Sequence, residues 1–123
     1  MADMSAETKN PVPQSIPHAI GNLLSEHKGM DVVVLDLSKT DSWTDFFVIA
    51  TATSDTHLDG LERHIRDFCR EREIEILRRS FRPSAEDEWR IIDLGSTVIH
   101  LMNRRARDFY DLERLYSMVM THK

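Results

Sequence analysis

WRIIDLGSTVIHLMNRRARDFYDLERLY, residues 89–116, reads as a β-hairpin followed by a helix. Leu94-Gly95-Ser96-Thr97 supplies a two-residue turn with glycine first, the order a type II′ turn needs because glycine tolerates a positive φ. In that register Leu94 faces Thr97, Asp93 faces Val98, Ile92 faces Ile99, Ile91 faces His100, Arg90 faces Leu101 and Trp89 faces Met102. Side chains alternate across a strand, so the two faces can be written out. One carries Ile92, Leu94, Ile99 and Leu101, with Arg90 at its far end, and reads as core. The other carries Trp89, Ile91, Asp93, Val98, His100 and Met102. Apolar groups flank an acid and an imidazole there, so this face is either a second core layer or a surface that meets a partner. The helix from about Arg105 to Met120 would turn Phe109, Leu112, Tyr116 and Val119 inward and leave Arg107, Asp111 and Arg114 outward, able to pair with one another.

Working outward, Asp45–Ala52 is almost continuously apolar and reads as a central strand buried on both faces. Asp31–Leu37 is a second strand, and the short polar link 38–44 makes the two an antiparallel pair. Ser15 to Lys28 repeats Ile16, Ala19, Ile20, Leu23 and Leu24 at helical spacing, with Pro17 tolerated in the first turn and Gly29 placed as a left-handed cap. Ser54 is the expected N-cap of a helix reaching Arg72, with Asp55 set favourably against its dipole. Leu58, Leu61, Ile65, Phe68 and Cys69 form its buried stripe. Asp59/Arg63, Glu62/Arg66 and Arg63/Asp67 are i,i+4 pairs on its solvated side. Ile74–Ser80 is a shorter strand and 81–88 a loop. The order α-β-β-α-β-β-β-α describes an α/β (α+β) domain, a mixed five-stranded sheet with helices packed on it. Residues 1–14 are expected to be a disordered tail and 15–123 a single domain.

A chain of 123 residues has room for one core of ordinary size. Its formal charge of −5 argues against non-specific binding to bare nucleic acid and favours a basic protein partner. With Cys69 as the single cysteine no intrachain disulfide is available, which points to a reducing compartment. No apolar run approaches a membrane span, and the first residues lack a signal or transit pattern, so a cytoplasmic setting is expected. The six histidines show no metal-ligand spacing. Ser54 lacks the glycines of a nucleophile elbow, leaving capping as its role. No metal, cofactor or small-molecule substrate is expected.

Two blocks carry a resemblance. Trp89-x-x-x-Asp93-x-Gly95, then Val98-Ile-His-Leu-Met102 and Arg107-x-Phe-Tyr110-x-Leu-Glu113, resembles the ribosomal silencing factor (Iojap-like) family, as does Thr44-Asp45-Phe46-Phe47-Val48-Ile49-Ala50-Thr51. The similarity covers roughly residues 15 to 118. It implies a nucleotidyltransferase-like fold and a factor that docks on the large ribosomal subunit through ribosomal protein fourteen, sterically blocking subunit joining. A large-subunit assembly or maturation factor at the same site is the alternative. The resemblance further implies a homodimer when free, and an exposed tryptophan at Trp89; by pattern alone, a core tryptophan beside Met102 is equally consistent. Ile91 and Met102 would extend an apolar patch, Asp93 and His100 would supply polar edges, and Asp45, Arg107 and Tyr110 would add contacts. Nucleotidyltransferases follow their Gly-Ser turn with a strand bearing two metal-binding carboxylates. Here Gly95-Ser96 leads into Thr-Val-Ile-His-Leu-Met with no acid before Asp108, so transferase chemistry is rejected and no enzyme is expected.

Overall fold

Val98, Ile99, His100, Leu101 and Met102 are all buried, because their strand has a neighbour on each edge and a layer on each face. The computed structural model describes residues 15–81 and 89–114. Its elements are α1 (Ile16–Glu26), β1 (Met30–Asp36), β2 (Phe46–Ala52), α2 (Asp55–Glu71), β3 (Arg78–Phe81), β4 (Trp89–Asp93), β5 (Thr97–Asn103) and α3 (Arg104–Tyr110). They form a five-stranded mixed sheet in the order β1-β2-β5-β4-β3. Among the described strands only β2 and β5 run parallel; β1/β2, β4/β5 and β3/β4 are antiparallel. The hairpin register is the one read from the sequence, from Trp89 opposite Met102 to Asp93 opposite Val98, and Gly95 takes φ 98° in the turn.

The main core lies between the sheet and the pair α1/α2. Ile20 and Leu24 of α1, Leu58, Leu61, Ile65, Phe68 and Cys69 of α2, and Val48, Ala50, Ile92, Ile99 and Leu101 of the sheet form it. Ser54 caps α2 by accepting the His57 amide at 3.0 Å. Burial raises the pKa of the Cys69 thiol, so it acts as a small hydrophobe. A histidine cluster ties α1 to α2. The His57 Nδ1 accepts from the Thr53 amide at 2.9 Å, which leaves Nε2–H to donate to the His27 carbonyl at 2.9 Å. The His27 and His64 rings stack at 3.5 Å, and burial, followed by the His27 charge, lowers the His64 pKa.

Several expectations need correction. Arg90 at the edge of the core draws Glu62 and Asp59 to itself at 2.9 and 2.6 Å, so Glu62 is buried rather than on a solvated face; Asp67 pairs with Arg70. Lys28, not Gly29, adopts the left-handed conformation, with φ 72°. Gly29 is required for close approach instead: its amide donates to the Leu24 carbonyl at 2.7 Å, and a Cβ there would lie 2.8 Å from that oxygen. The third strand starts at Arg78 rather than Ile74. Helix α3 is interrupted at Asp111, which turns left-handed at φ 47° and ψ 54°, and the chain is helical again over 112–114, the last of the described residues. Phe109 is consequently 77% exposed rather than turned inward, and Arg107 is buried rather than outward. The tail 1–14, the loop 82–88, Tyr116 and Val119 lie outside the described residues.

Two substitution pairs test this packing by urea unfolding. A Cβ on Gly60, inside α2, meets nothing within 4 Å, so Gly60→Ala should raise stability by about 0.5–1 kcal/mol, whereas Gly29→Ala should lower it by about 1–3 kcal/mol. Arg90→Ala, which removes the guanidinium 2.9 Å from the buried Glu62 carboxylate, should cost about 3 kcal/mol, and Arg90→Met with Glu62→Leu should cost well under the sum of the single changes.

Candidate functional site

The second face of the sheet carries Phe47 and Ile49 from β2, Trp89 and Ile91 from β4, and Val98, His100 and Met102 from β5. Helix α3 begins at the end of β5 and folds back over this face. Asn103 starts it by accepting the Ala106 amide at 2.8 Å, which puts Ala106 against Met102 and Trp89. Arg107 locks it down. Its Nη1 donates to Thr51 Oγ1 at 2.8 Å and its Nη2 to the Asp31 carbonyl at 2.6 Å. Its Nε and Nη2 also grip both Glu113 oxygens, at 3.1 and 2.6 Å. These charge-assisted bonds hold the Glu113 pKa below the ordinary carboxylate value, mainly through the hydrogen bond from Arg107. The Asp31 carbonyl is available because β1 breaks register between Met30 and Val33, with Asp31 at φ 50°.

Across this face runs a chain of six rings. Trp43 meets Phe47 edge-on at 6.3 Å, and Phe47 meets His100 at 4.4 Å. His100 lies 5.7 Å from Trp89, Trp89 lies 4.5 Å from Tyr110, and Tyr110 lies 4.9 Å from Phe109. Its middle is sealed and its ends are open: Trp89 is 8% exposed, Tyr110 36%, Trp43 65%. The exposed Trp89 implied by the resemblance is thus corrected to a buried one. Helix α3 and Met102 cover the indole, and its Nε1–H donates to His100 Nδ1 at 3.0 Å. That bond places the imidazole proton on Nε2, which finds no hydrogen-bond partner among the described residues. Burial pushes the His100 pKa down to about 4.

The eight residues singled out from the sequence therefore divide. Trp89, Ile91, His100, Met102, Arg107 and Tyr110 gather around α3, with Met102 fully buried and Ile91 partly so. Asp93 and Asp45 sit at the opposite end of the hairpin. The Asp93 carboxylate accepts the Gly95 amide at 2.8 Å and pairs with Arg78 at 3.3 Å, serving the turn. Asp45 is exposed, while its backbone joins Leu37 and Ser96. Sequence reasoning missed Trp43 and the outward Phe109. A lone indole within the polar link 38–44 was the available signal for the first. Among the described residues no cluster of three His, Cys, Asp or Glu side chains is arranged to hold a metal, and no helix is long and apolar enough to cross a membrane.

The buried imidazole gives a pH dependence whose sign is fixed. The folded pKa of His100 lies below the unfolded value of 6.5, so its contribution is complete above pH 6.5 and is lost as pH falls towards 4. The loss should total about 3 kcal/mol. Acid titrations of unfolding free energy should show it, and His100→Gln, which keeps an acceptor for Trp89, should flatten that part of the curve.

A family model described as "Ribosomal silencing factor during starvation" matches residues 11–122. A ribosomal silencing factor, RsfS, of Treponema pallidum is 36% identical over 98 residues, spanning 80% of this chain and 86% of that protein. The mouse protein named "Mitochondrial assembly of ribosomal large subunit protein 1" is 29% identical, over 79% of this chain but only 43% of its own length. A crystal structure of a protein from Chromobacterium violaceum superposes with a TM-score of 0.71 at 28% identity, covering 84% of this chain and 88% of that one. A match that runs from before α1 to beyond Glu113 takes in the whole sheet and the helix laid across it, and this chain belongs to the ribosomal silencing factor family.

Proposed function

We propose that this protein is a cytoplasmic ribosomal silencing factor: it binds the large ribosomal subunit through ribosomal protein fourteen, sterically blocks subunit joining and so represses translation. The observation that carries this reading is the family match across residues 11–122. The mechanism is obstruction and requires no bond-making. It needs a shaped, rigid surface, and the second face of the sheet offers one. The contact centres on Tyr110 and Phe109, with Ile91 beside them, while Trp89, Met102 and His100 hold that surface from beneath. An indole serving as a floor still contributes to binding, because it sets the position of the Tyr110 ring that meets the partner. Arg107 acts in the same way by fixing α3, and Asp93 through the hairpin turn. Asp45 adds an exposed negative charge for a basic partner. When free, the protein forms a homodimer, which would cover one of the sheet edges presented by β1 and β3.

The mouse relative's name supports a second reading, a large-subunit assembly or maturation factor acting at the same site. The two readings part in a joining assay followed by light scattering with purified subunits. A silencing factor lowers the joined fraction when added to mature subunits. An assembly factor leaves joining unchanged, and its depletion makes precursor subunits accumulate. Phe109→Ala with Tyr110→Ala should weaken large-subunit binding by about 2 kcal/mol or more, roughly thirtyfold, with little loss of stability. Trp89→Phe, which removes the N–H donated to His100, should weaken it less. Binding unchanged in the double variant rules out this surface.

A further inference from the structure

The other open end of the ring chain is built as deliberately as the first. Trp43 lies 65% exposed, yet the loop that displays it is pinned throughout. Asp36 accepts the Ser38 amide and hydroxyl at 2.9 and 2.6 Å, and Thr40 donates its amide and hydroxyl to the Leu37 carbonyl at 3.0 and 2.7 Å. The Ser42 amide donates to Thr40 Oγ1 at 3.1 Å, and buried Thr44 donates its hydroxyl to the Gly95 carbonyl at 3.0 Å. A loop fixed at both shoulders of an indole presents that ring with little ordering left to do on binding. The charged residues of its own loop and of the loop's two shoulders are Asp36, Lys39, Asp41 and Asp45, all exposed, three acids to one base. Asp41 and Asp45 stand two residues before and two after the indole.

We propose that Trp43, flanked by Asp41 and Asp45, receives an arginine- or lysine-bearing segment of a basic ribosomal protein, a second contact that widens the docking surface at Tyr110 and Phe109. An indole face attracts a cation through its quadrupole, and neighbouring carboxylates take the remaining donors of a guanidinium. The same carboxylates repel a phosphate backbone, which sets a basic protein segment ahead of RNA as the occupant. This proposal rests on the ribosome-docking reading, and the test separates the two.

Purified large subunits are titrated with the full chain carrying Trp43→Ala, Trp43→Phe, or Asp41→Asn with Asp45→Asn. Trp43→Ala should bind about tenfold more weakly and Trp43→Phe closer to wild type. The double Asp variant should lose affinity at low salt and show a flatter salt dependence. Equal binding of wild type and Trp43→Ala overturns the proposal and leaves the docking reading standing. If wild type itself does not bind large subunits, the docking reading falls, and calorimetry with a hexa-arginine peptide decides for Trp43. Binding lost in Trp43→Ala then supports a cation-receiving indole, and binding unaffected by that change, or absent altogether, overturns it. A decauridylate that binds through Trp43 in preference to the peptide also overturns it, in favour of base stacking.

Discussion

Strand β5 is buried on both faces, and most of the molecule follows from that constraint. It lies between β2 and β4, so its edges are spent on hydrogen bonds and its side chains face two separate layers. Ile99 and Leu101 face α1 and α2; Val98, His100 and Met102 face the other way. The second set would lie open if no element crossed it. Arg107 supplies the fastening that keeps α3 there, joining Thr51 on β2, the bulged Asp31 carbonyl on β1 and Glu113 beyond the helix. A single guanidinium thus ties α3 and the residues just after it to two strands far away in sequence.

The element order, the hairpin register and the α2 stripe were all legible, because each is a local pattern with a fixed period. Ser54 was recognisable as a cap for the same reason. What could not be read were choices between partners. Glu62 looks like a member of a helical i,i+4 pair until β4 brings Arg90 under it. Arg107 looks solvent-facing on an unbroken helix, but the left-handed turn at Asp111 interrupts that helix and Arg107 is buried against Thr51, Asp31 and Glu113. A dipeptide pattern cannot encode a bulge at Asp31 that frees a carbonyl on another strand.

The candidate site follows the same division. Its rings were visible on one face of the hairpin, and the sequence left open whether that face was core or contact. Both descriptions hold for different parts of it. Trp89, His100 and Met102 are core, and the rings that continue from them, Tyr110 with Phe109 and Trp43 beyond Phe47, reach solvent. Shape and rigidity at the surface are therefore inherited from an interior layer, the arrangement expected where binding relies on preorganisation rather than on adaptable loops.

The parallel register of β2 and β5 also has a bearing on how the protein is made. Phe46 waits for Thr97, and the pairing closes a long loop that contains α2, β3 and β4. While the nascent chain is still emerging, β2 has its partner β1 on one side and a bare apolar edge on the other, with Val48, Ile49 and Ala50 along it. The middle of the sheet is the last strand to arrive. Until it does, that unpaired edge is the kind of template on which a neighbouring chain can pair, and the final hairpin is what closes it.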